Sequence, residues 1–446
     1  MHRNTAQFVC RLGFVLCCLL PTCVTGGWIA YRSFAGVVLS QKQEWEHVLS
    51  QRLGLRVTCE ALDYSQPNAA ELKNVALFDP ETGVPIATLA LLEVIREEKQ
   101  WKLIGWQAVV ESAQLPQVMQ VLQQRLLKMS ATDALPCAIW LREITLRDAE
   151  RSLTLVDLNG TWQSTKDGPL GGLQFRLPEA EPNAPRGRIV VQRNRQTSPP
   201  STRWQFESGA LPLPCSLAAP GWRDLRHLGI GATFLGQLEL VDAGEQSSGR
   251  LRGTFEHVDL DALISEQFAH QLSGLAICKI EDATLEQNRL TMIRGTVQAR
   301  DGWISRSLLQ AATEHLQLHC PVAETLPASG APVSYRQLSL GFDLRDGGLQ
   351  LSGSADPLRA GVLLATGSGS ILETPPRHQA TSLGFVRMLV PESEWQVPAA
   401  RPAQALARFL PLPELQNGAT ISRSHVPTRL NPPRNPDAPV IRQPYR

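Results

Sequence analysis

The sequence carries no excess of charge in either direction. Its 446 residues hold 43 Lys and Arg against 42 Asp and Glu, and charged side chains make up only 19% of the chain. That balance excludes a whole-chain field of the kind that gathers nucleic acid or acidic substrates. Catalytic signatures are missing as well: there is no G-x-S-x-G elbow, no G-x-x-x-x-G-K-[ST] loop and no H-E-x-x-H pair. Hydrolase, nucleotide-cleaving and zinc-protease chemistry therefore lose their usual sequence marks. No disulfide framework can be read either. Of nine cysteines, Cys10, Cys17, Cys18 and Cys23 sit in or beside an apolar N-terminal run, and Cys59, Cys137, Cys215, Cys278 and Cys320 are odd in number and widely separated.

Three weaker signals read as structure. His315 and His319 stand one helical turn apart beside Cys320, without a third or fourth ligand, and Pro321 ends the helix there; they read as helix-end histidines. "LGIGATFLG" (228–236) lacks dinucleotide spacing and reads as small residues where strands curve or pack closely. Pairs such as Glu97 with Glu98 read as solvated turns. No catalytic residue, metal or cofactor is expected.

What the chain does have begins at its N-terminus. "LGFVLCCLLPTCVTGGWIAY", between Arg11 and Arg32, is free of charge over about the length that crosses a bilayer as a helix. Leu12, Phe14, Leu16, Leu19 and Leu20 supply its apolar body, and Trp28 and Tyr31 its interfacial edge. The competing reading is a cleaved signal peptide ending near Val24-Thr25-Gly26. Residues 1–36 are read as a membrane anchor with a cytoplasmic N-terminus, which puts the body on the far side.

Beyond the anchor, "VVLSQKQEWEHVLSQRLGL" reads as an amphipathic helix with Val38, Trp45, Val48, Leu49 and Leu53 on one side and Gly54 as its stop. Alternating runs then dominate, from "LRVTCEAL" through "WKLIGWQAVV", interrupted by one helical pattern at 115–129. Three later hairpins, 144–162, 283–299 and 342–355, repeat a strand, a polar turn and a strand of alternating Leu or Met; Asp346-Gly347 suits a tight primed turn. "GTFEHVDLDALI" (253–264) changes its alternation after His257, which is what a β-bulge would do. Proline-rich joints divide the chain into a β-rich region 37–210, a linker 211–225, a second β-rich region 226–390 and a proline-rich tail 391–446, whose basic end is expected to be disordered.

The order of apolar segment, helix and "LGLRVTCEALDYSQPNAAELKNVALFDPETGVPIATLALLEVI" resembles the start of the AsmA-like family. Gly54 to Val57 and Leu72 to Asp79 hold the places of that family's "tGr-x-V" and "l-x-n-V-x-l-x-d" strands. "GRLRGTFEHVDLDALISEQFAHQLSGLAICKIEDATLEQNRLTMIRGTVQARDGWIS" is similar to its C-terminal hairpins. The resemblance implies a curved, twisted sheet with an apolar groove, an inner-membrane anchor, a periplasmic body and a part in envelope biogenesis by phospholipid transport. The expectation is a mainly β chain: a long curved antiparallel sheet of meandering hairpins, a few short helices and one preceding transmembrane helix. Its partners would be the membrane, phospholipid and envelope proteins, and not nucleic acid. The groove would be lined by Leu251, Phe255, Leu290, Met292 and Val297. An ordinary β-sandwich that binds protein or cell-wall partners is the alternative.

Overall fold

A computed structural model describes residues 13–32, 35–127 except 67 and 99, 136–390 except 149–150, 221, 245, 288, 324–330, 368 and 377, and Leu410. The chain is mainly β. A π-helical turn Val15–Leu19 leads into helix α1 (Leu20–Arg32), followed by α2 (Ala35–Leu53). Leu49 of α2 is 1% exposed, and Trp45, Val48 and Leu53 pack with it on the first strands. Gly54, at φ 66°, ends the helix as its sequence predicts; Val38 stays exposed.

One sheet then takes in every strand. Its first part comprises β1 (Arg56–Thr58), β2 (Ala61–Gln66), β3 (Ala69–Phe78), β4 (Pro85–Arg96) and β5 (Trp101–Glu111). Helix α3 (Leu115–Val121) and a π-helical turn Leu122–Leu126 cross over to β6 (Cys137–Arg147). The sheet continues through β7 (Ser152–Ser164), β8 (Pro169–Arg176), β9 (Gly187–Asn194), β10 (Ser201–Glu207), the short β11 (Leu213–Pro214), β12 (Thr233–Ala243), β13 (Gln246–Asp259), β14 (Leu275–Glu286) and β15 (Arg289–Ile304). After α4 (Arg306–Leu316) come β16 (Val333–Arg345), β17 (Gly348–Gly353), β18 (Val362–Ala365), β19 (Ser370–Glu373), β20 (Ala380–Thr381) and α5 (Ser382–Leu389).

Neighbours along this meander pair antiparallel, with one departure from the all-antiparallel expectation: β5 and β6 run parallel, Leu103 opposite Ile139. The helical pattern at 115–129 is the reason. A parallel partner must start at the same end as its predecessor, and only a crossover of a dozen or more residues can carry the chain back. The proline-rich segment 211–225 does not break the sheet either. Thr202 of β10 stands opposite Asp242 of β12 across it, and the strands hydrogen-bond directly. Residues 391–446 lie outside the described residues except Leu410, which packs against the C-terminal core.

The change of alternation at His257 is a bulge. Phe255 pairs with Cys278 but Val258 with Ala276, and His257 sits at φ 56°. Asn74, Gln107, Asp157 and Asp301 take the same left-handed conformation inside other strands. Asn, Asp and His tolerate it better than most residues, and each use re-aims the side chains that follow. His257→Gly is therefore expected to leave the melting temperature within a degree or two, whereas His257→Val, forced to positive φ, should cost about 1–2 kcal/mol in urea denaturation. Equal stability of the two variants would contradict a left-handed bulge.

Helix α3 fixes the course of the sheet. Gln117 donates to the Asp79 carboxylate beyond β3, Gln123 donates to Asp242 Oδ2 of β12 at 3.1 Å, and Arg195 donates to the Leu127 carbonyl at 3.3 Å. On a flat sheet, seven strand steps plus the length of β12 would separate Asp79 from Asp242 by about 45 Å. The helical segment between the two glutamines rises only about 9 Å, and four side-chain arms cannot make up the difference. Between β4 and β12 the sheet bends around α3.

Candidate functional site

One face of the sheet carries apolar rows that run across strand after strand. Phe206, Leu238, Leu251, Ala283, Ile293 and Leu344 stand in register from β10 to β16. Phe234, Phe255, Cys278, Val297 and Leu340 form a second row, and Trp204, Leu240, Gly249, Leu285 and Leu290 a third. The rings of Phe234 and Phe255 lie 4.8 Å apart and those of Phe206 and Phe234 6.4 Å apart, within the range of attractive aromatic contact. The paired glycines Gly236 and Gly253 make room for this ladder: a Cβ on either would come within 2.9 Å of the Phe234 ring.

The opposite face is ionic. Asp282 accepts two bonds of 2.8 Å from Arg250 and further bonds from Arg252; Asp343 pairs with Arg345 at 2.8 Å and with Arg294 at 3.3 Å; Arg203 pairs with Glu239 at 3.1 Å. This division into a water-facing and an apolar face is what strand alternation dictates.

Helices cover the apolar face at both ends. Under α2 lies a core with Leu72, Val75, Leu92, Val94 and Leu103; under α4 and α5 lies a larger one with Leu308, Leu309, Leu316, Leu344, Leu349, Leu364 and Leu389. A small cluster around Leu155, Leu158 and Phe175 sits between them. Trp204, Phe234, Leu238, Leu240 and Leu251 are half-buried and belong to none of these cores.

The residues expected to line a groove are placed as follows. Leu251 lies in this stretch, and Phe255, Leu290 and Val297 lie on the same face, at the border of the C-terminal core. Met292 does not. A bulge at Thr291, whose hydroxyl donates to the Thr284 carbonyl at 3.2 Å, turns Met292 onto the ionic face opposite Thr284 and Arg345 and puts Ile293 in its place. Phe234, Leu238 and Leu240 also stand on this face, and their signal in the sequence is the glycine at 236 beside alternating Phe and Leu; Trp204, whose strand pattern reads as sheet or core packing, stands opposite Leu240.

Of the anchor residues, Phe14 (61% exposed), Leu16, Leu19 and Leu20 project from the N-terminal helical run. Leu12 lies outside the described residues, as do the side chains of Trp28 and Tyr31. Among the described residues no helix is long and apolar enough to cross a membrane, and no group of His, Cys, Asp and Glu is placed to hold a metal ion. His319 instead bridges by its backbone to Glu373.

Burial pushes the thiols of Cys59, Cys137, Cys215 and Cys278 up from 9.0 to about 11. The folded state thus prefers them protonated; their stabilisation is complete below pH 9 and is lost as pH rises through 11. Asp282 is held well below the usual carboxylate range by Arg250 and then Arg252. Asp79 is lowered by the backbone N–H of Glu81, then by the Thr82 hydroxyl and the Gln117 amide. These carboxylates stabilise the fold above their ordinary value of 3.8 and stop doing so as pH falls through their folded values. Burial also holds the His270 imidazole below its ordinary 6.5, so urea midpoints should be level between about pH 7 and 8 and decline on either side. A midpoint that rises above pH 9 would contradict the buried thiols.

No protein-family model, curated protein or solved structure matches the chain.

Proposed function

We propose that the protein is a non-enzymatic, membrane-anchored envelope protein whose apolar sheet face binds phospholipid. The observation that carries the reading is the stretch of Trp204, Phe234, Leu238, Leu240 and Leu251, half-buried and outside every core. Full burial of each such side chain is worth about 1.5–3 kcal/mol, so a chain that leaves several of them side by side gains by covering them. Acyl chains match the chemistry, since the rows offer mainly aliphatic and aromatic surface, with few polar groups besides the Trp204 indole N–H to orient a polar ligand. The charge-free run from Leu12 to Tyr31 supports attachment to the inner membrane with the body in the periplasm. The resemblance to AsmA-like proteins points the same way, toward envelope biogenesis.

The described strands pair as one sheet, which favours an open apolar face over the two separately paired sheets of a sandwich. The test is direct. Full-length protein is released from membranes in mild detergent, purified and extracted with organic solvent, and the extract is analysed by mass spectrometry. Phospholipid above the level carried by an unrelated single-span protein is the expected result; its absence rejects the lipid reading. Retention of the protein in the membrane pellet after carbonate washing checks the anchor, and its release there would make the N-terminal segment a cleaved signal.

A further inference from the structure

The open stretch is bounded on three sides. Toward the N-terminus, α3 lies against the inner face, tied to the sheet at Asp79, Asp242 and Arg195. Toward the C-terminus, Leu309 and Leu316 of α4 fill the face beneath them. On the hairpin side the rows end in polar residues. Arg193, Thr202 and Asp242 stand in register on β9, β10 and β12, with Arg193 donating to Thr202 Oγ1 at 2.7 Å and Asp242 accepting from Gln123. The four strand steps left from β9 to β14 span about 19 Å. One leaflet of a bilayer is about 15 Å of hydrocarbon, half of the 30 Å core.

We infer that the open face is a closed-ended compartment for the acyl chains of a single phospholipid, and not a stretch of a conduit running the length of the sheet. This rests on the lipid reading above and makes it specific: the protein carries a lipid and does not bridge two membranes with a continuous apolar track. A conduit would need the inner face of the first and last strands to be free. Trp45 and Leu49 of α2 occupy it at one end, and α4 with α5 at the other.

The experiment places a photo-crosslinking side chain at chosen points of the full-length protein in its own membrane. Leu240→benzoylphenylalanine and Leu251→benzoylphenylalanine report on the compartment; Leu141→benzoylphenylalanine and Leu351→benzoylphenylalanine report on the inner face beyond it, and all four positions are half-buried. Phe234→benzoylphenylalanine and Phe342→benzoylphenylalanine repeat the comparison with almost no change of shape, in case a leucine variant fails to fold. Irradiation should add the mass of one phospholipid at 234, 240 and 251 and none at 141, 342 or 351. Adducts at any of the flanking positions overturn the bounded compartment and leave the lipid reading standing. Adducts at no position remove both.

Discussion

Leu240→Asp should strip phospholipid from the purified protein while leaving it folded. Leu240 stands opposite Trp204 and Gly249, half-buried, and it packs into none of the cores. A carboxylate placed there stays in contact with solvent in the free protein, so it escapes the desolvation cost of a buried charge; it meets that cost only when acyl chains try to settle on it. The co-purifying lipid should fall at least about tenfold, which corresponds to about 1.4 kcal/mol of lost affinity. Leu309→Asp is the control. At 1% exposure on the buried side of α4, a charge there costs several kcal/mol and should unfold the C-terminal half. Phe255→Asp and Val297→Glu, at the border of that core, should lose lipid and some stability together. If Leu240→Asp unfolds the protein as Leu309→Asp does, the face is a sealed core.

The second large effect concerns α3. Leu127 closes the crossover with 0% exposure, and its carbonyl accepts the bond from Arg195. Truncation to alanine leaves a cavity at the place where the helix meets the far part of the sheet, and should cost about 2–5 kcal/mol. Because the sheet bends around this helix, the loss should appear as one cooperative shift of the urea transition and not as a separate early phase. Gln123→Ala removes only the tie to Asp242 and should cost about 1 kcal/mol. A Leu127→Ala protein as stable as the wild type would mean that α3 does not brace the sheet.

Much of the fold can be read from local residue chemistry. α2 follows from Trp45, Val48, Leu49 and Leu53 spaced along one side and a glycine at its end; the turn at Asp346-Gly347, at φ 48° and 80°, takes the primed conformation that its residues prefer. The break after His257 shows in the alternation itself. What stays hidden depends on partners distant in sequence. Met292 has the right residue type and spacing for the apolar face, and one extra residue at Thr291 turns it away, because side-chain period in a strand is two and a single insertion reverses the face. The parallel pairing of β5 and β6 depends on where the chain after α3 lands, and the prolines of 211–225 mark a surface excursion between two strands that still pair. The apolar stretch itself is visible as alternation, but that it lies outside the cores depends on where three helices settle, which no local pattern encodes.

An experimental density map of the full-length protein purified from its membrane tests the central claim most directly. Elongated density that belongs to no residue should lie along Trp204, Phe234, Leu240 and Leu251 and stop short of α3 and α4. A map in which those four side chains are covered by a second layer of protein, with no room for another molecule, would contradict it.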